Sequence, residues 1–429
     1  MLAMQFQLQH TQSWGPQRIE AQQLLQLGAL LVHARTNVPF YRERLAGLDL
    51  HEAEPVARDL FAALPILTRR DVQSSESELV SRAFPSSHGR AVQGITSGST
   101  GTPVRYRATE LTQFFGNAFA VREHLWHHRD LAAKMLAIRA APRLQELPGW
   151  FVGADGEPIL ATGPSVVVPL ETPIDQQIAL VLEHRPAYLL AYPSNLRELA
   201  LRWIEEGHHV PDLKEVRTFG EAPPDDLAEL IQLAWGVPWT DVYSAQECGY
   251  LACQCAERGS YHLQAESALI EVLDEDGHAC PAGQTGRVVV TPLHNFAMPL
   301  LRYELGDYAE VGEPCACGRG LPVVRRILGR VRNMLTLPSG DKRWPRLGSR
   351  HRDIAPVRQL QVVQLDLDRV ELRLVTARPL TGSEEAQLVA HLLDRLGHPF
   401  RITVTYLDRI PRTASGKYED FRSELAPVP

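Results

Sequence analysis

Short apolar runs alternate with longer amphipathic segments through the middle of the chain, from about residue 131 to residue 240. Residues 135–138, 166–168 and 188–190 have the length and composition of buried strands, whereas residues 194–206 place leucines at helical spacing. Strands that alternate with helices in this way predict a parallel sheet covered by helices.

The regions on either side follow other periods. Upstream, residues 17–31 have leucines at helical spacing, and residues 110–128 form an amphipathic segment rich in aromatic side chains. Downstream, residues 269–273 and 287–291 are strand-like and are separated by Asp-Glu-Asp-Gly, a sequence typical of turns. We therefore predict antiparallel strands after residue 260.

The pattern changes once more beyond Gly329, where about 100 residues have the make-up of a small separate domain. We predict an α/β protein with a hinge near this glycine. Its large N-terminal domain, residues 1–328, combines helix-covered parallel sheets with a smaller β-rich part, and residues 329–429 form a small mobile α+β domain. The elements predicted there are strands at 362–366 and 370–375, a helix at 382–396 and a strand at 400–406.

Composition narrows the classes of partner. The chain has 429 residues, of which 44% are hydrophobic, so it can bury a large core. Its net charge of -7 and pI of about 6.2 argue against nucleic acid or an anionic membrane as the main partner. The first residues lack a basic region followed by an apolar core, and no apolar run approaches the ~20 residues of a membrane span. We expect a cytoplasmic protein, monomeric or homodimeric.

Hydroxyl side chains and glycines alternate over residues 96–102, and Pro103 closes the run. Glycines let backbone N–H groups approach a ligand closely, and successive N–H groups form an anion-binding concavity. The strand-like residues 104–107 that follow indicate a turn between two strands. A flexible linker is the alternative, and the missing Gly-Lys-Ser/Thr ending argues against a P-loop NTPase. The run predicts a loop that binds phosphate.

Four further segments carry groups that a bound nucleotide needs. Glu247 ends a short loop and could hold Mg²⁺ beside phosphates. Asp307 follows a glycine turn and could bind ribose hydroxyls, with Arg302 pairing to it or to phosphate. Lys417, in a Ser-Gly-Lys turn, could bring an ammonium to a reacting phosphoryl group. Residues 217–223 could form a turn against a base. Each segment alone is equally consistent with an ordinary surface residue.

Together and in this order, these segments resemble the adenylate-forming superfamily of acyl-CoA synthetases and adenylation domains, and within it the phenylacetate–CoA ligase-like family. The specific marks are the loop at 96–102, Tyr-Ser-Ala-Gln-Glu at 243–247, Arg-Tyr-Glu-Leu-Gly-Asp at 302–307 and Pro-Arg-Thr-Ala-Ser-Gly-Lys at 411–417. Other segments are similar to further motifs of that family, so the resemblance spans nearly the whole chain. These segments are 37–42, 64–69 and 186–195.

The resemblance implies a ligase that uses ATP and Mg²⁺ to turn a carboxylic acid, aromatic or heteroaromatic, into an acyl-AMP with release of pyrophosphate. In that reaction Lys417 would bridge the acyl carboxylate and the ribose or α-phosphate, Glu247 would carry Mg²⁺ and Asp307 would bind the ribose. Arg302 is the third catalytic candidate. Thr96, Ser97, Gly98, Ser99, Thr100 and Gly101 would bind the β- and γ-phosphates of ATP. Glu221, Ala222 and Pro223 would flank the adenine, with Tyr243 stacking nearby. The other implied nucleotide-binding residues are Ser244, Gln246, Asp307 and Arg330.

The acceptor and the acid are less determined. The family hinge often has the sequence Gly-Arg-x-Asp-Asp, whereas residues 329–333 are Gly-Arg-Val-Arg-Asn. CoA is the first candidate acceptor, and a carrier-protein thiol or an amine or hydroxyl of a small molecule are the alternatives. Aromatic side chains could line the acid pocket, although such a stripe more often belongs to a core. They are Phe114, Phe115, Phe119, Trp126 and Tyr192.

All six cysteines lie between residues 248 and 317, which in a chain without a leader favours metal binding or free thiols over disulfides. Closed tetrahedral Cys/His sets are structural zinc sites, and buried thiols that pack as small apolar residues are the alternative. Part of the resembled family has a zinc site of the form Cys…His…Cys-x-Cys. The ligands that the resemblance implies, in an insert around 253–317, are Cys255, His262, Cys315 and Cys317, with Cys253 in reserve.

Two other classes of protein are alternatives to the ligase. A catalytically silent relative that binds nucleotide and zinc is the alternative to an enzyme, and the joint presence of Glu247, Asp307 and Lys417 argues against it. A metal-dependent hydrolase is disfavoured because the Cys/His set is closed and leaves no open coordination position.

Overall fold

The computed structural model describes residues 1–51, 54–96, 103–153, 156–345, 347–348, 350–413 and 418–425. In chain order its helices are α1 Leu2–Thr11, α2 Pro16–Asn37, α3 Pro39–Arg42, α4 Arg58–Ala62, α5 Arg69–Ser74, α6 Glu76–Leu79, α7 Glu110–Trp126, α8 Ile174–His184, α9 Pro193–Glu206, α10 Leu227–Trp235, α11 His351–Ile354 and α12 Gly382–Leu396. None of the helices in these ranges is both long and apolar enough for a membrane span.

The strands, also in chain order, are β1 Ala91–Ile95, β2 Arg105–Thr109, β3 Met135–Arg139, β4 Gln145–Leu147, β5 Ser165–Pro169, β6 Tyr188–Ala191, β7 Glu215–Phe219, β8 Trp239–Ala245, β9 Gly249–Gln254, β10 Tyr261–Leu263, β11 Ala268–Leu273, β12 Thr285–Pro292, β13 Tyr303–Val311, β14 Val323–Arg330, β15 Leu335–Thr336, β16 Lys342–Arg343, β17 Val357–Gln364, β18 Arg369–Thr376, β19 Arg401–Tyr406 and β20 Phe421–Ser423. The protein is thus an α/β protein, as predicted.

The chain forms two compact units. One comprises Met1–Ala133, Glu146–Ser165 and Thr240–Ile327, and the other comprises Lys134–Gln145, Val166–Trp239 and Leu328–Pro429. The C-terminal residues therefore share a unit with the helix-covered strands that follow residue 165.

In the first unit the strands run in the order β11-β12-β13-β14-β10-β9-β8. The pairs β11–β12, β12–β13, β14–β10, β10–β9 and β9–β8 are antiparallel, which confirms the prediction for the region after residue 260. Helix α2 packs on the core of this unit through Leu27, Leu30 and Leu31, which are completely buried. These leucines recur at helical spacing, and Pro16 suits the first helical position because its missing N–H would have no partner there.

In the second unit β3, β6 and β7 pair in parallel, as the alternating pattern predicted. Their apolar residues form one core with the inward faces of α8 and α9, where Leu196, Leu199 and Trp203 are buried. The C-terminal part has a separate core, built on a four-stranded sheet of order β19-β18-β17-β20. Helix α12 covers that sheet with Leu388 and Leu392, so a distinct C-terminal β/α domain is present.

Candidate active site

The strands that flank the Gly/Ser/Thr run form an antiparallel pair, β1 with β2, in the first unit. Beyond the pair, the Thr96 N–H donates to the Val104 carbonyl at 2.8 Å, and the Val104 N–H donates to Thr96 Oγ1 at 2.9 Å. These bonds confirm the predicted turn between two strands, because they hold the ends of the run together. The predicted phosphate-binding residues Ser97, Gly98, Ser99, Thr100 and Gly101 lie outside the described residues.

A glycine is required in β1 by a close approach. A Cβ atom added at Gly94 would lie 2.2 Å from the ring of Tyr106, which crosses over it from β2. Burial raises the pKa of Tyr106, and the nearby Glu247 adds to that shift. Tyr106 therefore stays protonated. It pairs with Gly94 at the base of the predicted phosphate loop and lies near Glu247, the predicted magnesium ligand.

Two tyrosines bind the two carboxylates singled out in the sequence. Tyr243 on β8 donates from its hydroxyl to Asp307 Oδ2 at 2.9 Å. Tyr303, the first residue of β13, donates to Glu247 Oε1 at 3.3 Å. Each bond connects a residue of the β8 region with a residue of β13, so the two segments exchange hydrogen bonds in both directions. Two carboxylates that are distant in the sequence are thereby oriented by side chains of one buried core.

Tyr303 is completely buried, and its pKa lies above its usual range because of that burial and the neighbouring Glu247. The phenol remains a hydrogen-bond donor at any physiological pH. Arg69 contributes a nearby positive charge and donates to Thr96 Oγ1 at 3.4 Å. The sequence motif that contains Arg69 was noted without a role for this residue. Its position beside Thr96 suits an anion held by the predicted phosphate loop.

Arg302 is buried and its side chain is engaged elsewhere. The guanidinium pairs with Glu271 at 3.1 Å and donates to the carbonyls of Ala62 and Leu64. Its backbone has φ of 50°, in the left-handed region that non-glycine residues seldom adopt. These contacts favour a structural role in joining residues 62–64 to β11 over the predicted catalytic role.

The remaining candidates near β8 differ in exposure. Ser244 lies at the end of β8 opposite Tyr250 on β9, and Gln246 is exposed in the turn that follows. Glu247 is half-buried in the same turn. The turn therefore presents a carboxylate that is both anchored by Tyr303 and partly open to solvent.

A cleft begins one residue beyond Glu247. The cleft is small and open to solvent at its mouth. Of the aromatic residues predicted as pocket walls, two line this cleft, whereas Trp126 packs in a different cluster and Tyr192 belongs to the second unit. Lining residues include Phe115, Gly116 and Phe119 of α7, Cys248, Gly249 and Tyr250 after Glu247, Pro292 at the end of β12, and His294.

In the second unit, Glu221 follows β7 and its carboxylate is held by two backbone groups. The Ser194 N–H donates to Oε2 at 3.0 Å, and the Tyr418 N–H donates to Oε1 at 2.8 Å. Burial raises the pKa of Glu221. The side chain is thus engaged by protein, while Ala222 is exposed and Pro223 is half-buried, so this turn has free surface that could contact an adenine.

Polar side chains extend this contact. Arg412 donates to Ser194 Oγ at 3.0 Å and lies 3.8 Å from Glu198 on α9. Gln359 of β17 donates to the same Glu198 at 3.3 Å. We name Ser194, Glu198, Glu221, Arg412 and Tyr418 the lid contact. Lys417 lies outside the described residues, and Tyr418 is its neighbour in the sequence.

Polar bonds also fix the predicted hinge. The Arg330 N–H donates to Asn333 Oδ1 at 3.3 Å, and Asn333 Nδ2 donates to the Phe421 carbonyl at 2.8 Å. Arg332 forms an ion pair with Glu419. The two residues that replace the acids of the family hinge therefore bind the segment that leads into β20.

The four predicted zinc ligands come together in the first unit. The ligand atoms of Cys255, His262, Cys315 and Cys317 all lie within 4.8 Å of one another. Cys255 Sγ and Cys315 Sγ are 3.8 Å apart, and Cys317 Sγ is 3.3 Å from His262 Nε2. Two sulfurs on a tetrahedral zinc with bonds of ~2.3 Å would be about 3.8 Å apart, and a sulfur and a nitrogen about 3.6 Å. The spacing fits tetrahedral coordination.

The pKa values of His262 and Cys317 suit the same use, whereas burial raises the pKa of Cys255 to about 11. Burial lowers the pKa of His262 to about 4, so its imidazole is neutral at pH 7 and able to ligate a metal. For Cys317, burial opposes ionisation, but hydrogen bonds from Arg319 lower the pKa overall. Cys253, the reserve ligand, is buried on β9 in a cluster with Ile19 and Trp126. The geometry thus favours Cys255 over Cys253.

Comparisons with known proteins show which proteins this chain is similar to. The chain is 29% identical to a phenylacetate–coenzyme A ligase of Thermus thermophilus over 339 residues, which cover 75% of this chain and 72% of that relative. It is 25% identical to a phenylacetate–coenzyme A ligase of Pseudomonas putida over 328 residues, 73% of this chain and 71% of the relative. A family model described as the CapK C-terminal domain matches residues 351–423.

A solved structure of 2-hydroxyisobutyryl-CoA ligase, in complex with an acyl-adenylate, has a similar fold. Its TM-score is 0.75 and its identity 18%, and the match covers 96% of this chain and 91% of that chain. This likeness concerns the fold, which is that of adenylate-forming CoA ligases.

Proposed function

The chain is a relative of the phenylacetate–CoA ligases and has the fold of the adenylate-forming enzymes, and on that premise we propose that it is a ligase that activates a carboxylic acid with ATP. In the first step the acid's carboxylate oxygen attacks the α-phosphorus of ATP. The bond from that phosphorus to the β-phosphate oxygen breaks, pyrophosphate leaves and an acyl-AMP forms. In the second step a thiolate of CoA attacks the acyl carbon, and AMP leaves.

The observation that carries this proposal is the exchange of hydrogen bonds between the β8 and β13 segments. Tyr243 orients Asp307, and Tyr303 orients Glu247, from within one core. In-line transfer of a phosphoryl group depends mainly on positioning and on neutralising charge, and both need side chains that are fixed before the substrate arrives. We take the cleft that includes Cys248 as the site of the acid, because Cys248 directly follows Glu247 in the chain.

We assign the groups of the reaction as follows. Asp307 accepts hydrogen bonds from the ribose, and Glu247 holds Mg²⁺, which prefers one or two carboxylates together with phosphate oxygens and water. Lys417 supplies positive charge to the acyl carboxylate and the α-phosphate. Residues 96–101 bind the β- and γ-phosphates, and Arg69, which donates to Thr96 Oγ1, adds positive charge. Mg²⁺ supplies charge neutralisation on the phosphates, and the protein's own groups supply orientation.

The Cys255, His262, Cys315 and Cys317 cluster is proposed to bind one structural Zn²⁺. Four protein ligands leave no open position, so the metal's role would be to stabilise the fold. Elemental analysis should find about one zinc per chain, and chelation should lower the melting temperature. Metal-free protein of undiminished stability would contradict this assignment. A cytoplasmic location belongs to the same set of proposals.

The proposed function is tested by acid-dependent release of pyrophosphate from ATP and Mg²⁺, with hydroxylamine as a trap for the acyl-AMP. Benzoates, phenylacetates, heteroaromatic acids and short fatty acids form the panel. Turnover with any of them establishes the first step, and CoA, a carrier-protein thiol and small amines are then compared as acceptors.

Two negative results have different meanings. ATP that binds without turnover on any acid would favour the silent nucleotide-binding relative. No ATP binding at all would remove the phosphate-binding role from residues 96–102. A Glu247→Gln variant is the control for the proposed role of the Glu247 carboxylate in pyrophosphate release. It keeps the size of the side chain and removes the charge that would hold Mg²⁺.

A further inference from the structure

The wall of the cleft contains a glycine, Gly116, at a helical position where most other residues would make the helix more stable. Gly116 lies in the middle of α7, and glycine inside a helix costs about 1 kcal/mol relative to alanine. No atom lies within 4 Å of the position where its Cβ would be, because the cleft occupies that space. The helix therefore leaves room at this point that a side chain would fill.

Opposite this room, His294 stacks on Phe115. The two rings are 3.8 Å apart at their centroids and differ in orientation by only 3°. The stacking fixes the plane of the His294 ring, and the ring nitrogens form their hydrogen bonds within that plane.

The orientation of the His294 ring is fixed from behind. Its Nε2 lies 3.0 Å from the carbonyl oxygen of Glu266. A carbonyl can only accept, so Nε2 carries the proton and donates. Glu266 is itself held through its carboxylate by Arg122 at 2.5 Å and by the Thr11 hydroxyl at 2.8 Å.

This arrangement determines what His294 offers to the cleft. Burial lowers the pKa of His294 to about 4, so the ring is neutral at pH 7. With the proton on Nε2, its Nδ1 is a bare acceptor. Among the described residues, none forms a hydrogen bond to this Nδ1, whereas two other polar side chains of the lining are hydrogen-bonded. Thr112 bonds to Thr109 and to the His294 carbonyl, and the Asn295 amide donates to the Arg107 carbonyl.

We propose that His294 is a specificity-determining residue, which accepts a hydrogen bond at Nδ1 from a hydroxyl or amino group on the ring of an aromatic acid that stacks beside Phe115. The inference rests on the proposed function, because it takes this cleft to be the acid site. The substrate class is then a small hydroxy- or amino-substituted aryl acid, and the unsubstituted parent acid is a poorer substrate.

The expected selectivity follows from an unpaired acceptor. A parent acid would leave Nδ1 buried beside an apolar ring without its bond, and sites that hydrogen-bond a substrate group reject analogues lacking it far more strongly than sites that only measure size. We expect kcat/KM for the donor-bearing acid to exceed that of its parent by roughly tenfold or more.

The test compares matched acids in the pyrophosphate-release assay. Benzoate and phenylacetate are each paired with their ring-hydroxylated and ring-aminated derivatives, on the full-length enzyme with Mg²⁺ and its native metal content. The measured quantity is the ratio of kcat/KM between derivative and parent. The expected result is a ratio of at least about ten for one ring position in wild type.

Two variants separate the hydrogen bond from packing. His294→Phe keeps an aromatic ring against Phe115 and removes the acceptor, so the ratio should fall to about one while the parent acid is still used. His294→Leu, which has neither the ring nor an acceptor, serves if the phenylalanine variant does not fold, and its ratio should also be about one. Gly116→Ala should lower kcat/KM for both acids alike, without changing their ratio, because it takes space and not a hydrogen bond.

The outcomes distinguish this inference from the proposed function. Activity on the panel with a ratio near one in wild type, or with a large ratio that His294→Phe leaves unchanged, would overturn the role of His294. Activity on no acid at all would instead overturn the function on which it rests.

Discussion

The carboxylates of the first unit and the lid contact of the second are held by different kinds of interaction. Asp307 and Glu247 are oriented by Tyr243 and Tyr303, which belong to the largest apolar core of the first unit. The lid contact consists of hydrogen bonds and a long ion pair, and Glu198 in that pair keeps 36% of its side chain exposed.

The difference matters because the two kinds of contact break at different free energies. Displacing a buried tyrosine disturbs a packed core and costs several kcal/mol. Exposed ion pairs contribute only ~0–1 kcal/mol, and each neutral hydrogen bond contributes about 1 kcal/mol net. Asp307 and Glu247 are therefore held by the more costly kind of contact, whereas Arg412 and Tyr418 are held by the less costly kind.

The sharpest test of the comparison is Lys417→Ala. Because the adenylation step loses a positive charge at the reacting phosphate, its rate should fall by about a thousandfold or more. Its melting temperature should match wild type. Conversion of a supplied acyl-AMP to thioester should continue, and it is measured in the same preparation. Normal adenylation by this variant would remove Lys417 from the mechanism.

A smaller loss of adenylation rate is expected for Glu221→Ala, which removes the acceptor of the Ser194 and Tyr418 N–H groups. We expect adenylation to slow by about ten- to thirtyfold, since one or two hydrogen bonds are lost. The matched control is Asp225→Ala, an exposed acid four residues on. Equal losses in adenylation and in the thioester step would indicate a general structural defect and not a role in the lid contact.

Tyr243→Phe should raise the KM for ATP by about fivefold to tenfold, because Asp307 loses the hydroxyl that orients it. The value of kcat should change less, since the carboxylate itself remains. Tyr308→Phe is the control, on the same strand as Asp307, and the Tyr308 hydroxyl bonds to an exposed Glu275. Equal KM values for the two variants would contradict the orienting role of Tyr243.

The smallest effect is expected for Arg409→Ala. Arg409 pairs with Glu171 at 3.0 Å, but both side chains are more than half exposed, at 61% and 66%. Adenylation should change by less than about twofold. An Arg412→Ala variant, with a less exposed guanidinium, should slow the same step several times more. If both variants slow adenylation equally, the exposure of an arginine does not determine how much its polar contacts contribute.

The sequence was sufficient for the elements whose periodicity comes from burial. The leucines of α2 and α12 and the apolar runs of β3 and β6 predicted both type and place, because one face or both faces of each element had to be buried. The Cys/His set could be named before its geometry was known because of the family resemblance, since the cysteine spacing alone did not decide between Cys253 and Cys255.

Side-chain partners were harder to foresee. Arg302 follows the pattern of a phosphate-binding residue, yet its guanidinium is taken by Glu271 and two carbonyls. Tyr303, directly beside it, was passed over although it binds Glu247. Which of two neighbouring polar residues faces the ligand depends on strand register, and a local sequence motif does not fix register. His294 had no local signal, because its role depends on a carbonyl 28 residues away.

A metal bound by the Cys/His cluster would also constrain the unfolded chain. Cys255 and Cys315 are 60 residues apart in the sequence, and β13 with both Tyr303 and Asp307 lies between them. A cross-link that closes a loop of this length removes conformational entropy from the unfolded state worth about 4 kcal/mol. A metal held there would therefore tether the two ends of the segment that carries the ribose carboxylate, so that local opening of this segment becomes rare and reclosure needs no long search.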